Sequence, residues 1–258
     1  MSAEPRTVWV TGAASGMGAV HARRFAELGD RVACWDVQAE ALDEVVAGIR
    51  AAGGEARAVV ADITDPEAVE AGAEQLREAL GPAAVVVANA GIILTGEHFE
   101  ELELDAWRMV VDVNLTGAFL TSKAAIPQLR EAGNGSLILV SSVCGLTASA
   151  GFGAYNASKH GVIGLMRTLA NELGGDGITV NAVCPGWVRT PMLHASIEDA
   201  SADAGDLSEF TDMSLIERLV EPEEVTEAIV FLASPAARMI TGTALPIDGG
   251  LMEKRAWP

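Results

Sequence analysis

The chain has 258 residues, half of them hydrophobic but only 5% aromatic, which predicts one α/β domain with a core of Ala, Val, Leu and Ile. Its formal net charge of −19 argues against nucleic acids and anionic membranes as partners, because both carry negative charge. The three cysteines, Cys34, Cys144 and Cys184, have no CxxC spacing, which argues against a disulfide framework or a zinc site and favours a reducing, cytoplasmic location.

Short apolar runs alternate with longer amphipathic stretches along the chain. The apolar runs predict seven strands, at Thr7–Thr11, Arg31–Trp35, Ala56–Ala61, Ala84–Ala88, Ser136–Ser141, Ile178–Val183 and Ala244–Ile247. The amphipathic stretches predict six helices, at Gly16–Leu28, Ala39–Ala52, Pro66–Leu80, Leu104–Arg130, Ala154–Leu173 and Glu223–Ala233. Regular alternation of strand and helix implies right-handed crossovers and a parallel sheet with helices on both faces.

A long irregular insertion, 191–220, interrupts this pattern. It mixes small, acidic and apolar residues, and a stretch of this length inside a compact domain is more often functional than idle. We predict a substrate lid with short helices here. The single domain then divides into an N-terminal part (1–95), a central part (96–190), the lid (191–220) and a C-terminal helix, last strand and tail (221–258).

A glycine-rich turn follows the first predicted strand and leads into the first predicted helix. Gly12, Gly16 and Gly18 allow a tight turn and a close approach of the backbone to a pyrophosphate, whose charge the helix N-terminus stabilises. Such a string is weak evidence alone, but its place between a strand and a helix makes it a strong indication of dinucleotide binding. Because the chain is so acidic, backbone donors or a local positive patch must offset its overall field.

The second predicted strand ends at Trp35 and is followed by Asp36. A carboxylate there can accept hydrogen bonds from both hydroxyls of an adenosine ribose. It would repel a 2′-phosphate, and the loop 12–18 and Val37 supply no Arg or Lys to neutralise one. The sequence therefore favours NAD over NADP, although an Asp at a strand end can also simply begin a turn.

Three polar residues follow the fifth predicted strand at a suggestive spacing. Tyr155 lies thirteen residues after Ser142, and Lys159 is one helical turn beyond Tyr155, so the phenol and the ammonium share a helix face. A free tyrosine has a pKa of about 10, and a nearby positive charge would lower it toward neutral pH. Tyr-x-x-x-Lys alone describes an ordinary helix start. Tyr155, however, is the only tyrosine in the chain, which favours a catalytic pair.

Taken together and in order, these motifs resemble those of the short-chain dehydrogenases/reductases, over nearly the whole chain. The matching residues are Thr11-Gly12-x-x-x-Gly16-x-Gly18, Asp62, Asn89-Ala90-Gly91, Asn114, Ser142, Tyr155-x-x-x-Lys159, and Pro185-Gly186 with Thr190. Ala88 departs from the pattern, since the family often has a second asparagine there. The resemblance implies a three-layer, doubly wound Rossmann-type sheet of seven parallel strands, a homotetramer, and NAD(P)-dependent chemistry on a hydroxyl or carbonyl group. It also implies that residues 1–95 form the dinucleotide-binding half and residues 96–190 the catalytic half.

The resemblance also implies roles for individual residues. Tyr155 would exchange the proton of the alcohol, Ser142 would hydrogen-bond the same oxygen, Lys159 would lower the pKa of Tyr155 and bind the nicotinamide ribose, and Asn114 would hold a water in a proton relay. The remaining implied contacts concern the cofactor alone. Its expected binding residues are Gly12, Ser15, Gly16, Met17, Gly18, Asp36, Asp62, Ile63, Asn89, Gly91, Tyr155, Lys159, Pro185, Gly186, Val188 and Thr190.

The expected substrate pocket is apolar, which favours a neutral, hydrophobic secondary alcohol or ketone. Its predicted lining residues are Ile93, Cys144, Phe152, Trp187 and Met192. The segment 184–191 also looks like that of hydroxybutyrate dehydrogenases, but the positions where those relatives bind a carboxylate through Gln, His and Lys are here apolar or thiol-bearing. Arg189 is the remaining candidate for binding an acid.

Two further functions stay open at this stage. The same segment also resembles aromatic polyketide ketoreductases, which generally use NADPH, so an acyl-chain or polyketide-type ketoreductase is the alternative within the family. A catalytically silent cofactor-binding scaffold is disfavoured by the intact catalytic set.

The four histidines, His21, His98, His160 and His194, lack the spacing of metal ligands, although His194 lies in the predicted lid, where it could contact the substrate. No export signal is expected, and the apolar window Ala83–Leu94 is too short to span a bilayer.

Overall fold

Seven strands form one parallel sheet in the computed structural model, which describes residues 5–95, 98–193 and 208–254. The sheet order is β3-β2-β1-β4-β5-β6-β7, and every neighbouring pair is parallel. This confirms the predicted doubly wound sheet in a single domain. The strands are β1 (Thr7–Thr11), β2 (Arg31–Asp36), β3 (Glu55–Val60), β4 (Ala83–Ala88), β5 (Ser136–Val140), β6 (Thr179–Pro185) and β7 (Ala244–Ile247).

Helices cover both faces of the sheet, as the alternating pattern predicts. They are α1 (Gly16–Glu27), α2 (Ala39–Ala51), α3 (Pro66–Leu80), α4 (Leu104–Val111), α5 (Gly117–Ala132), α6 (Gly153–Leu173) and α7 (Pro222–Leu232). Side chains alternate between the two faces of β1: Val8 and Val10 join the core under α1, α2 and α7, while Trp9 joins the core under α3, α5 and α6. Strands buried on both faces explain the continuous apolar runs in the sequence.

The stretch predicted as one helix, Leu104–Arg130, has a wider turn in its middle. Between α4 and α5, the backbone of Asp112–Thr116 adopts a π-helix. A π-helical turn fits one extra residue into the helix, so the side chains that follow it are rotated relative to those that precede it. Hydrophobic periodicity sums over the whole helix, so it predicts the existence of the helix and misses this local widening.

The base of the predicted lid is tied to the end of β6. Val188 pairs with Val220 in a parallel bridge, and the N–H groups of Arg189 and Val220 donate to the Val220 and Trp187 carbonyls, both at 2.9 Å. One short helical turn of the lid, Ser208–Thr211, is described, whereas residues 194–207, including His194, lie outside the described residues. None of the helices in the described ranges is long and apolar enough to cross a bilayer.

Candidate active site

The candidate site lies where the sheet order reverses, at the carboxyl ends of β1 and β4. The chain runs outward from β1 toward β3 and then returns to β4, which leaves a crevice between these two central strands. The Thr11 hydroxyl oxygen joins the strand ends, since it accepts hydrogen bonds from the backbone N–H groups of Asn89 and Ala90, both at 3.0 Å. The predicted glycine turn and the Asn89-Ala90-Gly91 segment therefore lie side by side.

Two glycines of the first turn lie so close to neighbouring atoms that a Cβ at either position would clash. A Cβ on Gly18 would collide with the Gly12 carbonyl oxygen and lie 2.7 Å from Asn89 Nδ2. Gly12 has a φ of +68°, and a Cβ there would lie 2.9 Å from Ala90 Cα. The backbone can thus fold closely onto itself and still present the N-terminus of α1, with its unpaired N–H groups, to the crevice. This is the cradle that a pyrophosphate requires.

The crevice continues into a cleft whose walls combine backbone, apolar side chains and two carboxylates. Eleven of the predicted cofactor residues line it, namely Gly12, Ser15, Gly16, Met17, Gly18, Asp36, Asp62, Ile63, Asn89, Gly91 and Thr190. The lining residues that were not predicted include Trp35, Val37, Gln38, Ala61, Ile92, Val113 and Pro191. No Arg or Lys occurs among the described residues that line this cleft.

The two carboxylates of the cleft are held by local hydrogen bonds. Asp36 Oδ2 accepts from the Ala14 N–H and its Oδ1 from the Gln38 N–H, both at 3.0 Å. Asp62 Oδ1 accepts from the backbone and the hydroxyl of Thr64, both at 2.8 Å. Each Asp36 oxygen keeps a second lone pair, so the carboxylate is fixed in position and still able to accept a pair of hydroxyl donors.

Ser142, Tyr155 and Lys159 meet at the carboxyl end of β5, as their spacing predicts. Ser142 begins a short helical turn, and its Oγ accepts a hydrogen bond from the Cys144 N–H at 3.1 Å, which leaves its own proton free to donate. Tyr155 lies in the first turn of α6, and Lys159 follows one turn later. The Lys159 Nζ lies 5.5 Å from the centroid of the Tyr155 ring and donates to the Val140 carbonyl at 3.0 Å.

Burial shifts the pKa values of this pair in opposite directions. Desolvation raises the pKa of the Tyr155 phenol above its ordinary value, while its hydrogen bond with Ser142 acts to lower it. Desolvation also lowers the pKa of Lys159 to about 8, so the ammonium form still predominates at pH 7. A positive charge close to the phenol would lower its pKa and so favour Tyr155 as a base near neutral pH.

Asn114 is buried in the π-helical turn, and its side chain is committed to neighbouring protein groups. Its Oδ1 accepts from the Ile92 N–H at 2.8 Å, and its Nδ2 donates to the Ile92 carbonyl at 2.9 Å and to Ser158 Oγ at 3.1 Å. Ser158 Oγ in turn donates to the Tyr155 carbonyl at 2.8 Å. Both Nδ2 protons are thus used, while Oδ1 keeps a second lone pair that can accept a hydrogen bond from the predicted water. Ser158, missed in the sequence, lies three residues after Tyr155 on the same helix.

A small cavity opens beside the Tyr155 hydroxyl. It holds about 90 Å³, and all five predicted pocket residues, Ile93, Cys144, Phe152, Trp187 and Met192, line it together with Ser142, Pro185, Gly186 and Val188. Ser141, Val143 and Leu193 also line it and were not predicted, although each is adjacent in sequence to a predicted residue. Met17, Thr190 and Met192 border both this cavity and the cleft, so the two form one continuous site.

No side chain that lines this cavity in the described part of the chain carries a charge. The Arg189 guanidinium is directed to the surface, where its Nε lies 3.0 Å from Glu221 Oε1, so it does not enter the cavity. Burial raises the pKa of the Cys144 thiol, which keeps it neutral. Within residues 5–95, 98–193 and 208–254, no group of three His, Cys, Asp or Glu side chains is placed to hold a metal ion.

Comparison with known proteins places this site among oxidoreductases. Residues 12–252 match the family model described as enoyl-(acyl carrier protein) reductase. The cis-4-hydroxycyclohexanecarboxylate dehydrogenase of Sinomonas cyclohexanicum is 41% identical over 245 residues, which cover 95% of this chain and 96% of that protein. The cyclohexanol dehydrogenase of Acinetobacter sp. (strain SE19) is 36% identical, with 95% and 94% covered. A solved variant of actinorhodin polyketide ketoreductase with NADPH superposes with a TM-score of 0.92 at 36% identity, covering 98% of this chain and 100% of that one.

Proposed function

The chain belongs to the short-chain dehydrogenase/reductase family, and on that premise we propose that it is an NAD-dependent dehydrogenase of neutral, cyclic secondary alcohols. The same site would reduce the corresponding ketones. The observation that carries the proposal is the uncharged, largely apolar cavity beside the Tyr155 hydroxyl. The names of two relatives, which act on cyclohexanol and on a cyclohexanecarboxylate with a 4-hydroxyl group, support a ring as substrate. A cytoplasmic homotetramer is part of the proposal.

Tyr155 and Ser142 handle the oxygen of the substrate in this proposal. During oxidation the Tyr155 phenolate takes the proton of the alcohol hydroxyl, while the Ser142 hydroxyl donates a hydrogen bond to the same oxygen and holds it beside the phenol. During reduction the phenol returns that proton to the developing alkoxide. Lys159 stabilises the phenolate through its positive charge, because its Nζ lies 5.5 Å from the ring centroid.

The residues of the cleft fit a nicotinamide dinucleotide. The glycine cradle would accept a pyrophosphate, Asp36 would accept ribose hydroxyls, and Asp62 and Ile63 would flank an adenine. Thr190 borders both the cleft and the cavity, and Pro185, Gly186 and Val188 line the cavity beside it. A bound nicotinamide supplies the hydride acceptor for oxidation and the hydride donor for reduction. We assign Lys159 to the ribose on the nicotinamide side.

The choice of NAD over NADP rests on Asp36. Its carboxylate would lie against a 2′-phosphate, and no described Arg or Lys lines the cleft to offset the repulsion. The polyketide ketoreductase named above was solved with NADPH, so membership of the family leaves the cofactor open. Charge at the end of β2 is the local feature that favours NAD.

Two alternatives are less well supported. A hydroxy acid would need a cation, but Arg189 is paired with Glu221, and the sequence of residues 194–207 contains His194 and no Arg or Lys. An acyl-chain or polyketide-type ketoreductase agrees with the family, yet no described feature of the cavity favours a charged or extended substrate over a single ring.

The proposal is tested by following NAD reduction at the nicotinamide absorbance with cyclohexanol, cis-4-hydroxycyclohexanecarboxylate and 3-hydroxybutyrate. We expect the highest kcat/KM for cyclohexanol, with NAD preferred to NADP.

Replacing Tyr155 by Phe removes one hydroxyl from the site and should lower kcat at least about 100-fold, the effect of losing a general acid–base group.

A matched control removes a hydroxyl from the same helix away from the site. Thr168 is exposed on α6, and its hydroxyl bonds only its own helix, so Thr168→Val should leave turnover unchanged. Preference for either acid over cyclohexanol would show that a cation reaches the cavity and would overturn the proposed substrate class. Equal turnover by wild type and the Tyr155→Phe variant would overturn the proposed mechanism.

A further inference from the structure

The Trp187 indole forms one wall of the substrate cavity and is held between two other rings. Phe152 lies on the cavity side, with ring centroids 6.3 Å apart and the planes at 63°. Phe152 also makes an edge contact with Tyr155, at 6.4 Å. The Tyr155 phenol and the Trp187 wall of the cavity therefore belong to one chain of ring contacts through Phe152.

The second contact of Trp187 comes from the predicted lid. Phe210, in the helical turn Ser208–Thr211, meets the indole edge to face with centroids 4.7 Å apart and the planes at 72°. Both rings pack against buried Leu193 and Leu219. Phe210 is not among the described residues that line the cavity, so it contacts the indole from behind.

We propose that Phe210 sets the upper size of the substrate ring by holding the Trp187 indole against the cavity, an inference that rests on the proposed alcohol dehydrogenase function. The cavity measures about 90 Å³, below the roughly 150 Å³ of a protein cavity that binds benzene, so its walls leave no room for a second fused ring. Phe210 is thus a positioning residue for specificity and takes no part in proton transfer.

The physical reason lies in the rotamers open to Trp187. Edge-to-face contacts favour one orientation of an aromatic pair beyond the effect of area burial. Without the Phe210 ring, the indole loses the contact behind it and can turn toward the space left by that ring. The cavity then lengthens on the side away from Tyr155, where a second fused ring of a substrate would extend.

The test compares cyclohexanol with 1-tetralol, whose alcohol-bearing ring is fused to a second ring. For Phe210→Ala we expect kcat/KM for cyclohexanol to change by less than about threefold and the ratio of 1-tetralol to cyclohexanol to rise by about tenfold or more. Phe210→Tyr, which keeps the ring, should retain the wild-type ratio, and Phe210→Leu serves as a second variant if the Ala variant unfolds. Phe231→Ala, an exposed phenylalanine on α7, is the matched control and should leave the ratio unchanged.

A double-mutant cycle separates action through Trp187 from a general loosening of the lid. Trp187→Ala alone should already raise the ratio, and adding Phe210→Ala to it should change the ratio by less than about twofold. A wild-type ratio in the Phe210→Ala variant, or an equal effect with and without Trp187, would overturn the inference.

Direct binding makes the inference independent of turnover. The dissociation constants of cyclohexanone and 1-tetralone, measured by calorimetry in the presence of NAD, report the size of the cavity without any reaction. If wild type oxidises neither alcohol, the proposed function fails, while a selective gain in 1-tetralone binding by Phe210→Ala still supports the size limit. Equal ketone affinities in wild type and variant count against it.

Discussion

Asp36 illustrates how one side chain at a strand end can decide between two cofactors. Its two oxygens are fixed by the Ala14 and Gln38 N–H groups, so the charge remains at the mouth of the cleft. Asp36→Ala removes the acceptors proposed for the ribose, and hydrogen bonds to a charged group contribute about 1.5–3 kcal/mol each. We expect KM for NAD to rise by roughly tenfold or more and the preference over NADP to shrink, both measured by steady-state kinetics.

Asp43→Ala is the control for the change in net charge, because Asp43 is an exposed residue of α2. It should leave both KM values close to those of wild type. If Asp36→Ala retains the full preference for NAD, the discrimination lies elsewhere in the cleft, and the interpretation of Asp36 is wrong.

Lys159 offers a test of the proposed base through the pH dependence of the rate. Oxidation requires the Tyr155 phenolate, so kcat should rise with pH as the phenol loses its proton. Burial alone raises the pKa of Tyr155, and the Lys159 charge opposes that effect once the phenolate forms. Lys159→Met should therefore lower kcat and move the rising limb of the profile to higher pH, measured between about pH 6 and 10.

Lys159→Arg keeps a positive charge at this position, so its rising limb should lie closer to that of wild type than the limb of Lys159→Met. An unshifted limb in the Met variant, with only a lower rate, would mean that Lys159 positions the cofactor and does not act on the phenol.

At the scale of helices and strands, periodicity predicts the frame of the site but not its local departures. The strand ends that carry Asp36 and Ser142 follow from apolar runs, because a strand buried on both faces has a simple signature. The π-helical turn around Asn114 and the hydrogen bond from Asn114 to Ser158 have no such signature. Both depend on contacts between distant segments, which a pattern within one segment does not contain.

The contact between α1 and α7 makes stability depend on pH through a buried histidine. Thr226 uses its one hydroxyl proton on the Pro222 carbonyl, at 2.8 Å, so the His21 Nδ1 that lies 2.7 Å from Thr226 Oγ1 must be the donor. His21 Nε2 is then a buried acceptor without a partner among the described residues. Desolvation lowers the pKa of His21 from 6.5 to about 3.

The sign of the effect follows from these two values. Below pH 6.5 the unfolded chain binds a proton at His21 that the folded chain does not, so the free energy of unfolding falls as the pH drops toward about 3. The slope for one proton is about 1.4 kcal/mol per pH unit. His21→Leu should remove this contribution, so urea unfolding at pH 7 and pH 5 should show a smaller loss of stability than in wild type.

His98, which is exposed, provides the control, and His98→Gln should keep the wild-type dependence on pH. The same loss of stability between the two pH values in wild type and His21→Leu would show that other groups govern acid unfolding.

At the scale of the whole molecule, the order of motifs along the chain was enough to predict the sheet and the residues that meet at its carboxyl edge. The ring contacts of Trp187 were not predictable, because Phe210 is 23 positions away in an insertion without periodicity. The sequence also did not predict where the Arg189 side chain points, because its partner Glu221 is 32 positions away. Ion pairs across a loop depend on its folded path, and the sequence does not encode that path in any local pattern.

The net charge of −19 leads to a prediction about how the two substrates respond to salt. A dinucleotide is an anion approaching an acidic protein, and two carboxylates, but no described Arg or Lys, line the cleft that would receive it. Salt shortens the Debye length from about 30 Å at 0.01 M to about 8 Å at 0.15 M, which weakens this repulsion. We therefore expect KM for NAD to fall by about twofold or more over that range of NaCl.

The alcohol provides an internal control for the same measurement. A neutral ring entering a cavity without charged lining residues feels little of the protein's field, so KM for cyclohexanol and kcat should stay nearly constant as salt is added. A KM for NAD that rises with salt would mean that a local positive potential outweighs the overall charge. A KM for the alcohol that follows that of NAD would place salt-sensitive groups in the substrate cavity itself.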